Sequence, residues 1–101
     1  PISFDTFLSV DIRTGTIIDV MDFPEARKPA YKLKIDFGEL GILQSSAQIT
    51  DLYEKDNLLN KQIIAVVNFQ AKQIGKFISQ VLVLGVQNQD GHIVLLSPDQ
   101  A

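Results

Sequence analysis

The side chains best placed for chemistry lie between two apolar runs in the second half of the chain. The runs are Ile63–Phe69 and Val81–Val86, and the segment between them carries Lys72, Gly75 and Lys76. Buried strands joined by a polar, basic connection form a rigid platform that presents a binding loop. They supply no acid and base pair for catalysis, so the pattern favours a binding module.

Other reactive side chains stand alone. His92 is the only histidine and begins a strand after a turn, which disfavours a metal site built on scattered carboxylates. The acids of residues 51–56 have the spacing of a solvated helix face. Ser45 and Ser46 lack a nearby base and a nucleophile-elbow glycine pattern. The sequence therefore predicts no enzyme, no metal site and no cofactor.

A second basic segment precedes the first. It carries four cations and no acid between residues 27 and 34, namely Arg27, Lys28, Lys32 and Lys34. Such a basic face can neutralise phosphates, or it can be an ordinary solvated surface. Phe69 and Phe77 flank the basic loop and leave two readings open. If the two rings are exposed, they would stack on bases or contact apolar side chains of a peptide. If they are buried, they would belong to the core.

Composition limits the class of protein. The 101 residues carry a net charge of −3, are 46% hydrophobic and include no cysteine, which suits one cytoplasmic domain over residues 1–101 without disulfides. No apolar run approaches the roughly 18 residues of a membrane helix, so no membrane insertion is expected. No basic stretch followed by an apolar one opens the chain, so no secretory signal is expected.

Short strands outnumber helices. The predicted strands are Asp11–Val20, Tyr31–Phe37, Ile42–Ser46, Gln62–Phe69, Val81–Val86 and His92–Leu96. Helices are predicted at the N-terminus, capped by Ser3, and over Gln48–Leu59, capped by Thr50. Five or six short strands in this order predict an all-β, five-stranded OB-fold barrel with a short N-terminal helix and a short helix between strands 3 and 4.

Two details of this barrel follow from residue type. Ile12, Ile18 and Val20 share parity and are predicted to face one side of the first strand, while Gly15 predicts a bulge or sharp bend. The apolar residues of the N-terminal helix are predicted to cover a barrel end.

Several motifs together resemble a known family. In chain order they are DIRTGTI, FPEARKPAYKLKIDFG, SSAQITDLY, VVNF and SQVLVLG. Together they span most of the chain and resemble the CsaA-type secretion chaperones, a branch of the tRNA-binding-domain OB-fold proteins. The resemblance implies a non-catalytic, cytoplasmic homodimer that binds unfolded preproteins during export. The secretion ATPase is a second implied partner.

The resemblance also implies a contact site. The positions that match the wider family's tRNA site are Asn68, Lys72 and Ser79, and the residues added around the same groove are Phe69, Lys76, Phe77 and Gln80. The leading hypothesis is a peptide-binding groove at these residues. The alternative is a tRNA-binding protein that uses the same face together with the basic segment 27–34.

Overall fold

A computed structural model describes all residues from 1 to 101 and confirms the all-β prediction. Its elements are α1 (Phe4–Leu8), β1 (Ile12–Asp22), β2 (Tyr31–Asp36), a 3-10 turn (Gly38–Leu40), β3 (Ile42–Ala47), α2 (Lys55–Leu58), β4 (Gln62–Val66), β5 (Lys72–Ile74), β6 (Phe77–Ser79), β7 (Leu82–Val83), β8 (Gly85–Gln87) and β9 (Ile93–Leu95). Five strands form an antiparallel, nearly closed barrel in the order β3-β2-β1-β4-β7, and two hairpins, β5–β6 and β8–β9, flank it.

Strand β2 is the centre of the core, as its strict alternation predicts. Tyr31, Leu33 and Ile35 point inward and are buried, whereas Lys32 and Lys34 point outward. A strand with one face in the core and one outside shows this period of two. Strand β2 pairs with β1 on one side and with β3 on the other, so it fixes the position of both.

Strand β1 contains a bulge, but not at Gly15. The pairing with β2 slips between Ile17 and Asp19. Gly15 lies in regular pairing, and a Cβ there would stand 2.5 Å from Cγ2 of Ile35 and 2.7 Å from the ring of Phe37. The glycine therefore permits a close approach within the barrel, and the prediction of a bulge at this residue is wrong.

The bulge also changes which side chains face inward in the part of β1 that follows it. Ile17 is fully buried, while Ile12 and Ile18 are 42% and 39% exposed. Val20, beyond the bulge, packs against the core. Ile12 and Ile18 thus share a face as predicted, but the prediction is wrong for Val20, because the extra residue shifts the alternation by one.

The second helix is much shorter than predicted. Only Lys55–Leu58 is helical, and it begins after Glu54, whose backbone N–H donates to Oδ1 of Asn57 at 3.2 Å. The predicted cap at Thr50 is wrong because that residue lies in a turn. Upstream, Tyr31 Oη donates to the carbonyl of Tyr53 at 2.8 Å, which holds the preceding chain against the barrel instead of in a helix.

Helix α1 begins as predicted but does not act as a lid within one chain. Ser3 Oγ accepts a hydrogen bond from the N–H of Thr6 at 3.0 Å. No residue of the helix is buried, and Phe4 and Leu8 are 72% and 60% exposed. The prediction that its apolar side covers a barrel end is therefore wrong. No helix in the structure has the length and hydropathy needed to cross a membrane.

The later strands are more divided than the apolar runs suggest. Strand β4 ends at Val66, and the run Val81–Val86 breaks at Leu84 into β7 and β8. The N–H of Leu84 still donates to the carbonyl of Ile64 at 2.8 Å. The basic segment between the runs is itself the β5–β6 hairpin, with its turn at residues 75–76.

Candidate ligand-binding groove

The β5–β6 hairpin is attached to β3 mainly through side chains. Gln44 N–H donates to Oε1 of Gln80 at 3.0 Å, and Ser46 N–H donates to Oγ of Ser79 at 3.1 Å. One purely backbone bond joins the two segments, from Gln80 N–H to the carbonyl of Gln44 at 2.8 Å. We call this junction the seam. Two predicted site residues, Ser79 and Gln80, thus hold the hairpin in place.

Beside the seam lies a cavity of about 460 Å³, which we call the groove. Eight of its fifteen lining residues are hydrophobic, and Lys72 is the only charged one. The full lining is Ser46, Ala47, Gln48, Ile49, Phe69, Gln70, Lys72, Ile74, Ser79, Gln80, Val81, Leu82, Val83, Gly85 and Ile93. A mostly apolar concave surface with a few polar groups is typical of a ligand site.

Four of the predicted site residues line the groove, namely Phe69, Lys72, Ser79 and Gln80. Phe69 is 55% exposed and thus able to contact a ligand. Phe77 lies elsewhere: it is half-buried, with its ring centroid 5.4 Å from that of Phe23 in an edge-to-face contact. Lys76 lies in the hairpin turn, outside the groove lining.

Asn68 has a different position from the other predicted residues. Its Nδ2 donates to the carbonyl of Ser9 at 2.8 Å, and its Oδ1 accepts from the N–H of Asp11 at 2.9 Å. These two bonds join the end of β4 to the connection between α1 and β1. The side-chain amide is therefore used in the fold, and Asn68 does not line the groove.

A second cavity, of about 440 Å³, adjoins the groove, and we call it the cleft. Arg27 and Lys28 from the loop before β2 line it together with Lys72 from β5. Glu25 is the one acid in its lining. The two basic segments of the sequence thus meet in space, although Lys28 and Lys72 are 44 positions apart in the chain.

Lys32 and Lys34 differ from the rest of the predicted basic face. The Nζ of Lys32 lies 4.9 Å from the ring centroid of Phe23 and 5.7 Å from that of Phe77. It also lies 3.7 Å from a carboxylate oxygen of Glu25, and its side chain is 24% exposed. The ammonium group of Lys32 is therefore engaged in contacts within the chain, with Phe23, Phe77 and Glu25. Lys34 lies outside both cavities.

The groove and the cleft share one wall. The residues common to both linings are Ser46, Gln48, Lys72 and Ile74. Sequence reasoning missed Ser46 and Gln48 as site residues. The available signal was the SSAQITDLY motif, which carried the resemblance but which residue chemistry alone did not mark as a ligand contact.

The perturbed ionisable groups lie away from the groove. The hydrogen bond from Arg13, at 2.9 Å, lowers the pKa of Asp11 and raises the pKa of Arg13 itself. The hydrogen bond to Asp22 raises the pKa of Lys55. These exposed pairs are structural. No three His, Cys, Asp or Glu side chains come together in a way that could hold a metal ion.

Comparison with known proteins places the chain among binding proteins. A family model described as a putative tRNA binding domain matches residues 12–101. The CsaA chaperone protein of Picrophilus torridus is 58% identical, with a TM-score of 0.95 over 100% of this chain and 94% of that one. The chaperone CsaA of Bacillus anthracis str. Ames is 50% identical, with a TM-score of 0.94 over 100% of this chain and 92% of that one.

A longer relative is the methionine–tRNA ligase of Thermococcus onnurineus (strain NA1). It is 33% identical over 99 residues, which are 98% of this chain but only 13% of the ligase. The chain therefore spans a small part of the length of this relative.

Proposed function

The chain is a CsaA-type member of the family of putative tRNA-binding domains, and from that premise we propose that it is a non-catalytic chaperone that holds unfolded polypeptide. The polypeptide occupies the groove. The contacts that support it are apolar, and they come from residues such as Phe69, Leu82 and Val83.

The groove is the observation that carries this proposal. Phe69 and Leu82 are 55% and 49% exposed at its surface. Burial of apolar area yields roughly 25 cal/mol per Å², so a few peptide side chains in the groove supply useful affinity without demanding one sequence. A chaperone needs this tolerance, since its clients share exposed apolar segments and little else.

A binding titration with a matched pair of variants tests the proposal. We expect a fluorescently labelled, permanently unfolded polypeptide to bind the native chain and to bind Phe69→Ser roughly tenfold more weakly, since about 1.5 kcal/mol or more of aromatic burial is lost. Leu59→Ser is the control, because Leu59 is 48% exposed but lies outside the groove. Equal affinity of the three proteins would contradict the proposal.

We further propose that the protein is a homodimer whose interface includes α1. The helix presents Phe4, Phe7 and Leu8 to the outside without burying any residue. Next along the chain, Ile12 is 42% exposed as well. A second copy is a suitable cover for this apolar surface.

Sedimentation equilibrium tests the dimer. The native chain is expected at twice the mass of one chain, and the double variant Phe4→Ser with Phe7→Ser at the mass of one. Both residues are exposed within the chain, so the double variant is expected to keep the stability of the barrel. A native monomer would refute the dimer while leaving polypeptide binding untouched.

The premise of family membership supports the remaining parts of the proposal. They are a cytoplasmic location, a role in export, unfolded preproteins as clients and the secretion ATPase as a partner. Co-purification of this ATPase with the tagged chain from cytosol, and its loss from the Phe69→Ser variant, would support them.

The cleft favours tRNA binding as a second candidate function. Arg27, Lys28 and Lys72 place three positive charges around one cavity, while the net charge of the chain is −3. Contacts to phosphates from this patch make affinity fall with salt. Titration with bulk tRNA at low and near-physiological salt tests it: steeply salt-dependent binding supports the function, and no binding even at low salt refutes it.

A further inference from the structure

The seam leaves part of the β3 edge open, and we propose that the polypeptide binds there by adding a strand to β3. This inference rests on the proposed chaperone function and specifies its binding mode. The ligand is an extended, mostly apolar polypeptide segment with an acidic group at one end. Its backbone pairs with the edge of β3 between Ser46 and Gln48, and its apolar side chains enter the groove.

The edge of β3 lacks a partner strand for most of its length. In this strand, the backbone groups of Gln44 and Ser46 point away from β2, toward the seam. In a regular sheet, the carbonyls of a neighbouring strand would accept from both N–H groups. Here a side-chain amide and a side-chain hydroxyl accept instead. The side chains of Gln80 and Ser79 thus take the place of backbone acceptors at these two N–H groups.

Gln48 comes directly after the last residue of β3, Ala47, and its backbone groups have no partner. It follows Ser46 by two positions, so an extended chain places its backbone groups on the same side. Its N–H and its carbonyl make no hydrogen bond, and the residue is exposed. An unpaired donor and acceptor at a strand edge are what an added strand satisfies. Both Ser46 and Gln48 also line the groove.

Rotation of one side chain would lengthen the available edge. If Ser79 turns its hydroxyl to solvent, the N–H of Ser46 becomes free for a ligand carbonyl. The exchange replaces one hydrogen bond by another, so its net cost is small. Carbonyl groups of the ligand backbone would then accept hydrogen bonds from the N–H groups of Ser46 and Gln48. One N–H group of the ligand would donate a hydrogen bond to the carbonyl of Gln48.

Charge complementarity with the groove accounts for the acidic group at one end of the ligand. Lys72 is the only charged residue in the groove lining and makes no ion pair within 4.0 Å. A carboxylate at the corresponding end of the peptide would pair with it. Uncharged side chains suit the rest of the lining, where the neighbours are apolar or neutral.

An N-methyl scan of a bound peptide tests strand addition. The probe is a short, labelled, capped peptide of valine, leucine and threonine with one terminal aspartate. Each backbone amide is methylated in turn, and the affinity for the native chain is measured. We expect methylation of the one amide that donates to the carbonyl of Gln48 to weaken binding roughly tenfold, because that backbone donor is lost. Methylation at the other positions should have little effect.

The outcomes separate the inference from the function on which it rests. If the unmethylated peptide does not bind, the proposed chaperone function fails, and strand addition fails with it. If the peptide binds and no position is sensitive to methylation, or if all are equally sensitive, strand addition is wrong while the chaperone function stands.

A variant of the protein provides an independent test. Ser79→Ala removes the hydroxyl that competes for the N–H of Ser46. Strand addition predicts tighter binding of the peptide, by up to about fivefold, since one hydrogen bond no longer has to be exchanged. Unchanged or weaker binding by a variant that keeps the native unfolding midpoint would overturn the role given to Ser79.

Discussion

The two edges of β3 are closed in different ways. On one side, six consecutive residues from Ile42 to Ala47 pair with β2 in regular register. On the other side, the side chains of Ser79 and Gln80 make the contact with Ser46 and Gln44, and Gln48 has no backbone partner. We call these the ladder edge and the open edge.

The difference indicates where the fold is specified and where a ligand can act. The ladder edge joins strands whose inward residues are fully buried, such as Leu33 and Ile35. The open edge adjoins two cavities and several exposed apolar side chains, Phe69 among them. Stability therefore depends mainly on the first region, and binding mainly on the second.

The largest expected effect compares isoleucines in these two regions. Ile35→Ala, on the ladder side, should lower the free energy of unfolding by about 3 kcal/mol, because it opens a cavity at a fully buried site. Ile78→Ala, on β6 beside the open edge, should cost less than about 1 kcal/mol, since Ile78 is 38% exposed. Urea denaturation measures both. Similar losses would show that the two regions are equally important for stability.

The next largest effect is expected from reversing the positive charges of the β5–β6 hairpin. Lys72→Glu with Lys76→Glu should weaken tRNA binding at least tenfold and reduce its salt dependence, because phosphate contacts are lost. Binding of a neutral apolar peptide should change little. Lys34→Glu is the control, since Lys34 lies outside both cavities. Equal loss of both ligands would argue against separate forces for RNA and peptide.

A smaller effect is expected from the open edge itself. Gln80→Ala removes the acceptor of the Gln44 N–H and should destabilise the fold by about 1 kcal/mol. Hydrogen exchange should show faster exchange at Gln44, with no change at Leu43, whose N–H faces β2. Gln87→Ala, at an exposed position of β8, is the control. Equal acceleration at Gln44 and Leu43 would show that the two edges open together.

The smallest effect concerns a surface pair that lines neither cavity, Asp11 and Arg13. Arg13→Gln should raise the pKa of Asp11 toward its ordinary value, since the hydrogen bond that lowers it is removed. A lowered carboxyl pKa stabilises the fold above the pKa of the unfolded state, and this contribution is lost as the pH falls through the folded value. Carboxyl NMR titration checks the shift, and the native and variant stabilities should converge in acid.

The sequence predicted the ladder side of the fold better than the open side. The alternation of β2 follows from burial of one face, so Tyr31, Leu33 and Ile35 were placed correctly. The bulge between Ile17 and Asp19 is a tertiary adjustment with no local signal, and it turned Val20 away from the face that it was predicted to share with Ile12 and Ile18. An N-cap pattern at Thr50 could not outweigh the contact between Tyr31 and Tyr53.

The candidate site shows the same limit. Residue types identified Lys72 and its loop, and the resemblance added Ser79, but neither could reveal that Ser79 bonds to β3. The sequence also could not show that Glu25, Phe23 and Phe77 surround Lys32. Such contacts depend on the distance between segments that are remote in the chain.

Mapping a bound peptide onto the ¹⁵N-labelled chain by NMR tests the central claim most directly. An unlabelled apolar peptide is expected to shift the amide resonances of Ser46, Gln48, Ser79 and Gln80, while those of β1 and β2 stay in place. Shifts concentrated in α1 or in the loop of Arg27 and Lys28, with the open edge unaffected, would contradict it.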